Sequence, residues 1–434
     1  MNGALPAVPG AQPHTRLRYL WFGLALLAFA MIVITFWLPA ENRYFDYQTR
    51  SHGYNWDFHV YYAAGHDWAL GMDPYADQWL SPTVHSAARP IRFKRQQTLR
   101  FIYPPTLLPA YRWIAHLPYR KARVDWRDLN FVLLATAAAV AVVFERGRRL
   151  EVGATLLLLG ALSFPILYHV REGNIDMIVA GLATSGFLLY GRSRSWPSAL
   201  LFALAAVVKV TPLLVVAALI VYYRDWRFLL KTALLLGAVV ALSLVFVPLH
   251  YYREAAAVLF LRSQSMPGAV NQSLMRWLHR FPSAPRYVSL AAYACLLGGL
   301  AWMGRKAGAS AASVGRRGEA PNVCIFALTV FVMLLFTPIA WIWTYVWIIV
   351  PAAMLLMGRQ RLGSLWARFV LLAAVALMSA PIRPRGGPLL DSLTMIGGTL
   401  ALGCLVAYAV FTSASAGDVA PHRERGRLND SIAE

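Results

Sequence analysis

A succession of long apolar runs constrains this chain more than any other feature. They lie at roughly 19–39, 127–144, 152–170, 175–191, 198–223, 232–249, 288–304, 322–339, 343–357, 369–381 and 392–412. About 20 apolar residues cross the roughly 30 Å hydrocarbon core of a bilayer. Backbone groups in that layer must be satisfied internally, which leaves helices or closed barrels. The runs are continuous rather than alternating, so the fold class predicted is an all-α polytopic membrane protein. Composition agrees: the 434 residues are 58% hydrophobic and 14% charged, with mean hydropathy +0.50. Soluble domains are about 25% charged. An ordinary soluble enzyme and a disordered chain are both excluded.

The 41 Lys+Arg against 20 Asp+Glu give a formal charge of +21. In a soluble protein this would suggest nucleic acid; here no nucleic-acid partner is expected, and membrane lipid is. Short basic connectors follow many runs: Arg146, Arg148 and Arg149; Arg192 and Arg194; Arg224, Arg227 and Lys231; Arg305, Lys306, Arg316 and Arg317; Arg359, Arg361 and Arg368. Placing them all on the cytoplasmic side satisfies the positive-inside rule. Run 198–223 breaks simple parity, because basic connectors flank it on both sides. Pro212 interrupts its helix and Lys209 is costly in lipid. Two half-helices that enter and return to the cytoplasmic side resolve the conflict; one kinked span with a snorkelling lysine is the alternative. With the hairpin, about ten full spans remain. Tails 1–18 and 413–434 are then cytoplasmic, and one membrane domain covers 19–412. Outer loops are 40–126 and 250–287. No cleavable signal is expected, since the first run ends in Pro39-Ala40-Glu41. Cys295, Cys324 and Cys404 all sit in apolar runs, so neither a disulfide framework nor a metal cluster is expected.

Several polar residues stand where lipid should exclude them. Asn55-Trp56-Asp57-Phe58-His59-Val60-Tyr61-Tyr62 reads as a short amphipathic helix at the interface, with Asp57 and Tyr61 on one face. A partly dehydrated carboxylate there could serve as a base, or simply favour a helix start. Asp73 in Gly71-Met72-Asp73-Pro74 reads as a turn residue. Tyr103 of Phe101-Ile102-Tyr103-Pro104-Pro105 could touch lipid or pack. Asn174 and Asp176, at an outer junction, could line a cavity or be structural. Lys209 could pair with a carboxylate such as Asp176 or offer a cation to phosphate. Asn271-Gln272-Ser273, backed by Arg276 and Arg280, suits sugar hydroxyls and phosphate, or an ordinary helix start. Trp341 and Trp343 could be an interfacial belt or a wall of a sugar pocket. Walker, dinucleotide, zinc and nucleophile-elbow motifs do not occur.

Taken together, five stretches in order resemble glycosyltransferase family 87, the polyprenyl-phosphate-dependent membrane mannosyltransferases of GT-C architecture. They are Asp57–Ala64 with Gly71–Tyr75, Tyr103-Pro104-Pro105, Gly173-Asn174-Ile175-Asp176, Lys209-Val210-Thr211-Pro212 through Arg227, and Asn271–Leu274. The resemblance implies an extracytoplasmic cavity of an inner-membrane protein, fed with a polyprenyl-phosphate sugar from the bilayer. Asp57 matches the family's base. Two departures stand out. Where the family usually reads Gly-Gln-x-Asn, this chain has Asn174 and Asp176. Trp343 occupies the position of a family histidine.

The resulting expectation is an inverting hexosyl transfer, mannose first, to a glycan or glycolipid acceptor. Asp57 is the general base. Lys209, Arg262, Arg276 and Arg280 are the phosphate-binding candidates. Tyr61, Tyr62, Tyr103, Asn174, Asp176, Asn271, Gln272 and Trp341 are the substrate-binding candidates. No metal or other cofactor is expected, since carboxylates are not clustered. The rival reading is a transporter or flippase of a lipid-linked saccharide, for which broken helices are also suited. A second break like Lys209–Pro212, which a two-fold transporter would carry, is absent from the sequence.

Overall fold

The computed structural model describes residues 13–34, 56–75, 84–86, 89–91, 101–192, 194–261, 271–278, 280–281, 283–309, 322–379 and 392–418. These residues are helical apart from turns and one small hairpin, in which β1 (Val84–Ser86) pairs antiparallel with β2 (Arg89–Ile91). In chain order the helices are α1 (Pro13–Ile32), α2 (Trp56–Ala69), α3 (Leu108–Ala115), α4 (Tyr119–Phe144), α5 (Arg149–Leu162) and α6 (Phe164–Glu172). Next come α7 (Asp176–Tyr190), α8 (Ser195–Val208), α9 (Pro212–Tyr223), α10 (Trp226–Leu244) and α11 (Leu249–Leu261). The last are α12 (Ala284–Lys306), α13 (Val323–Phe336), α14 (Ile349–Met357), α15 (Leu365–Ser379) and α16 (Leu393–Asp418). A 3₁₀ turn at Ile342–Ile348 leads directly into α14.

By length and apolarity α4, α10 and α12 are clear candidate spans, and α5 with α6 passes the same test as a pair bent by 60°. The bend has a local cause. Ser163 takes an extended backbone and caps α6 by accepting from the Ile166 amide, while Pro165 at the start of α6 supplies no amide of its own. The other apolar helical stretches, such as Tyr19–Ile32 and Leu393–Ala409, are shorter, at 10–17 residues. α13 is buried along nearly its whole length, with Phe326, Phe331 and Leu334 at most 2% exposed, so it forms the centre of the bundle.

The break expected in run 198–223 is present. α8 stops at Lys209, whose backbone is extended, and α9 restarts at Pro212. α8 runs back along α7, pinned by Ser198 Oγ donating to Gly186 O at 2.7 Å. α9 then returns to the level it left, because the Tyr223 and Tyr190 rings stand 5.7 Å apart at its far end. Both open ends of the hairpin therefore lie together, and Lys209 lies at its closed tip.

Among the described residues, several helix ends sort onto two levels. One holds Asp57, Asp176 and Lys209. The other holds Glu145, which accepts from the Arg359 amide at 2.6 Å, and Arg192, whose guanidinium lies 3.9 Å over the Phe144 ring. Arg148 and Lys231 belong to this second level, bonding Met357 O and Ser195 Oγ, and so does Lys306, two residues past Gly304, which packs against Tyr222 at the open end of the hairpin. Basic connectors thus collect at one end of the bundle.

One expectation is corrected. α2 is not an amphipathic helix lying on a surface, because residues 58–64 are all buried. α3 covers it so closely that a Cβ on Gly65 would stand 2.1 Å from Tyr111 O. Asp73 is the turn residue expected, accepting from the Tyr75 amide at 2.8 Å.

Candidate active site

Gly173 determines how the site is assembled. It ends α6 in a left-handed conformation, φ +65°, which glycine adopts without steric cost. It also lets α2 approach: a Cβ there would meet Phe58 Cβ at 2.6 Å. Trp126 of α4 donates to Gly173 O at 2.9 Å and fixes the corner from a third side. The next residue, Asn174, is thereby set against the first turn of α2. Its Nδ2 donates to Asp57 Oδ2 at 2.6 Å, a charge-assisted hydrogen bond across 117 residues of sequence.

Asn174 also faces the other way. Its Oδ1 accepts from the Asp176 amide at 2.8 Å, which opens α7. His169 Nε2 accepts the following amide, of Met177, at 3.0 Å. Asp176 sits in the first turn, where the helix dipole favours negative charge. It is fully buried, and both its oxygens have partners. Lys209 Nζ donates to Oδ1 at 2.7 Å, and Thr344 Oγ1 donates to Oδ2 at 3.0 Å. A single polar chain therefore runs Asp57–Asn174–Asp176–Lys209, with Thr344 as a branch.

The side chains behind this row are locked in packing. Tyr61 is 1% exposed, stacks on Tyr111 at 5.3 Å and donates to Tyr103 Oη at 2.8 Å. Burial, then the nearby Tyr103 and Asp57, push the Tyr61 hydroxyl well above its ordinary pKa, so it is a neutral donor. Tyr62 donates to Leu117 O at 2.8 Å, and Tyr75 to Tyr103 O at 2.5 Å. Tyr61, Tyr62 and Tyr103 thus shape the wall behind Asp57. His59, buried edge-on to Tyr119, is lowered by burial to about 4.

Trp343 stacks on Tyr168 at 5.6 Å and on Trp341 at 5.4 Å, forming a ladder of three rings beside Thr344. Trp341 is the half-buried outer member.

The stretch Asn271–Arg276 is a clasp. Asn271 Oδ1 accepts from the Ala340 amide at 3.0 Å, and Asn271 pairs with Trp341 as an isolated bridge. The Gln272 amide donates to Ala340 O at 2.7 Å, and Gln272 Oε1 accepts from the Met395 amide at 3.1 Å. Ser273 Oγ bonds Leu335 O and Thr337 O. Arg276 donates to Asn271 O at 3.1 Å and to Ser392 Oγ. These groups hold the outer loop to α13 and α16. Arg280 is exposed; Arg262 lies outside the described residues.

His169, Thr344 and Tyr168 were not singled out in the sequence, and Gly173 only as part of the Gly173–Asp176 stretch. Gly173 stands in a readable polar junction, whereas Thr344 looks like one more residue of an apolar run.

Among the described residues no group of three or more His, Cys, Asp or Glu is disposed to hold a metal ion. What the site offers is a carboxylate oriented by an amide, a nearby ammonium and a ring wall. No curated protein and no solved structure matches the chain. The sequence profile of glycosyltransferase family 87 matches residues 101–338, which covers Asn174, Asp176, Lys209 and Asn271 and begins after Asp57. With more than half of its length matched, the chain belongs to glycosyltransferase family 87.

Proposed function

We propose that this membrane glycosyltransferase moves a hexose, mannose first among candidates, from a polyprenyl-phosphate donor to a glycan or glycolipid hydroxyl. Asp57 acts as general base on the extracytoplasmic side of the inner membrane. The observation that carries the reading is the hydrogen bond from Asn174 to Asp57, which aims a carboxylate from the first turn of α2 into the level of Lys209. In the reaction Asp57 takes the acceptor hydroxyl proton as that oxygen bonds the anomeric carbon. The bond from that carbon to the phosphate oxygen breaks, its electron pair leaves with polyprenyl phosphate, and configuration inverts. The leaving dianion needs positive charge nearby. An ammonium has three N–H donors, and Asp176 engages one from Lys209, whose side chain is 28% exposed. The partly open Trp341 ring suits the C–H face of a sugar. Ten full traverses plus the α8–α9 hairpin, with the Arg192 and Glu145 level cytoplasmic, fit the way helix ends meet and the positive-inside rule.

Asp57→Asn tests the assignment. Removing a general base costs about 10²–10⁴-fold. Transfer from a polyprenyl-phosphate sugar is expected to fall by that factor, with donor binding retained. Undiminished transfer would overturn it.

A further inference from the structure

Beside the Asp57–Asn174 pair lies a buried amide oxygen that the fold does not satisfy. Asn130 sits on α4, a helix apolar enough to span a bilayer, and is 2% exposed. Its Nδ2 donates to Trp126 O, one turn back, at 2.9 Å. Trp126 is the residue that fixes the Gly173 corner. Asn130 Oδ1 is buried and has no hydrogen-bond partner among the described residues. A buried acceptor without a donor forfeits the hydrogen bond it had in water, so native folds rarely leave one.

A matching donor stands in the same place. His169 Nε2 accepts from the Met177 amide at 3.0 Å, so this nitrogen carries no proton. The neutral ring then holds its proton on Nδ1, a donor that needs an acceptor of its own. His169 and Asn130 both line a narrow cleft of about 20 Å³, together with Trp126, Gly173 and Asn174. Arg123 and Arg127 line it too, and each already has partners. That volume has room for a water, which stays in an interior when it finds two to four polar partners. A water can accept from the ring N–H and donate to the amide oxygen, joining groups that do not meet directly. Asn174 supplies a third partner. Its Nδ2 has one proton beyond that given to Asp57, and its Oδ1 one lone pair beyond that taken by the Asp176 amide.

We propose that this cleft holds one ordered water, bonded to His169 Nδ1, Asn130 Oδ1 and Asn174, and that Asn130 is thereby a positioning residue for Asp57. The water fixes the Asn174 amide, and Asn174 aims the carboxylate. Asn130 touches no reacting atom. Its kinetic role rests on the transfer reaction proposed above, whereas the water site stands on the geometry of the cleft.

Cryo-electron microscopy of the full chain in nanodiscs, at a resolution that shows ordered water, tests the site. The expected map has a peak within hydrogen-bond distance of Asn130 Oδ1 and His169 Nδ1. A map without that peak, or with a protein donor on Asn130 Oδ1, overturns the proposal. Kinetics test the role. Asn130→Leu keeps the volume of the side chain and removes the acceptor. It should lower kcat about fivefold, the weight of one hydrogen bond, with donor KM unchanged. In an Asn174→Ala background the same substitution should lower kcat no further, because residues in one network are not additive. Asn130→Ala carries the same cycle if Asn130→Leu does not fold. An undiminished kcat, or an equal loss in both backgrounds as a merely structural defect gives, removes Asn130 as a positioning residue. A parent protein that shows the peak but transfers no sugar fails the reaction and leaves the water site standing. Transfer without the peak does the reverse.

Discussion

Lys209 and Asp176, 33 residues apart, meet at 2.7 Å where the tip of the α8–α9 hairpin reaches the start of α7. The carboxylate is wholly buried and the ammonium partly open. Breaking a buried pair strands a charge and costs about 3–5 kcal/mol, less here because one partner reaches solvent. Lys209→Met and Asp176→Asn are therefore each expected to lower thermal stability, and Lys209→Met/Asp176→Leu to recover most of it. Donor affinity should stay weak in the double variant. If donor affinity recovers together with stability, Lys209 is a structural residue only.

In the proposed reaction Asn174 positions Asp57 through the 2.6 Å hydrogen bond between them. Asn174→Ala removes a hydrogen bond to a charged group, worth about 1.5–3 kcal/mol. Steady-state kinetics should show kcat down about tenfold or more with donor KM little changed. A rise in KM at constant kcat would mean that Asn174 binds substrate instead.

Gly173→Ala combines a left-handed backbone with a collision against Phe58. The backbone alone costs about 1–3 kcal/mol. Both the unfolding midpoint and transfer should fall, while Gly298→Ala, whose added Cβ meets nothing within 4 Å, should change neither. An active, stable Gly173→Ala protein would show that the α2 approach is not needed.

His59 makes stability depend on pH. Its folded value is about 4 against an ordinary 6.5, because burial disfavours the charged ring. Between these values the folded chain binds fewer protons than the unfolded one, so stability rises with pH across this window. About 3 kcal/mol is lost as pH falls from 6.5 to 4. Melting curves over that range should flatten in His59→Phe. Parallel curves for the two proteins would remove His59 as the cause.

Arg276 separates scaffold from phosphate binding. Arg276→Met removes the hydrogen bonds that Arg276 gives to Asn271 O and Ser392 Oγ. The protein should melt earlier, with donor KM unchanged in the folded fraction. A selective loss of donor affinity would return Arg276 to the phosphate site.

The sequence by itself determined the helices, the break and the sorting of charge. Apolar runs of span length admit one backbone solution, Pro212 cannot continue a helix, and the basic connectors mark the ends of runs; each is a local property that the chain carries before it folds. It also placed Asp57, Asn174, Asp176 and Lys209 among the residues that lipid would reject. Only the tertiary structure decided their partners. Asp57 meets Asn174 because Gly173 lets two helices touch, and Lys209 meets Asp176 because α8 runs back along α7. The clasp shows the same division. Asn271, Gln272 and Arg276 look in sequence like ligand-binding groups, and in the fold they bond backbone groups and Ser392. A polar side chain in an apolar chain must find a partner, and its own position along the chain does not say whether that partner is a substrate or the fold.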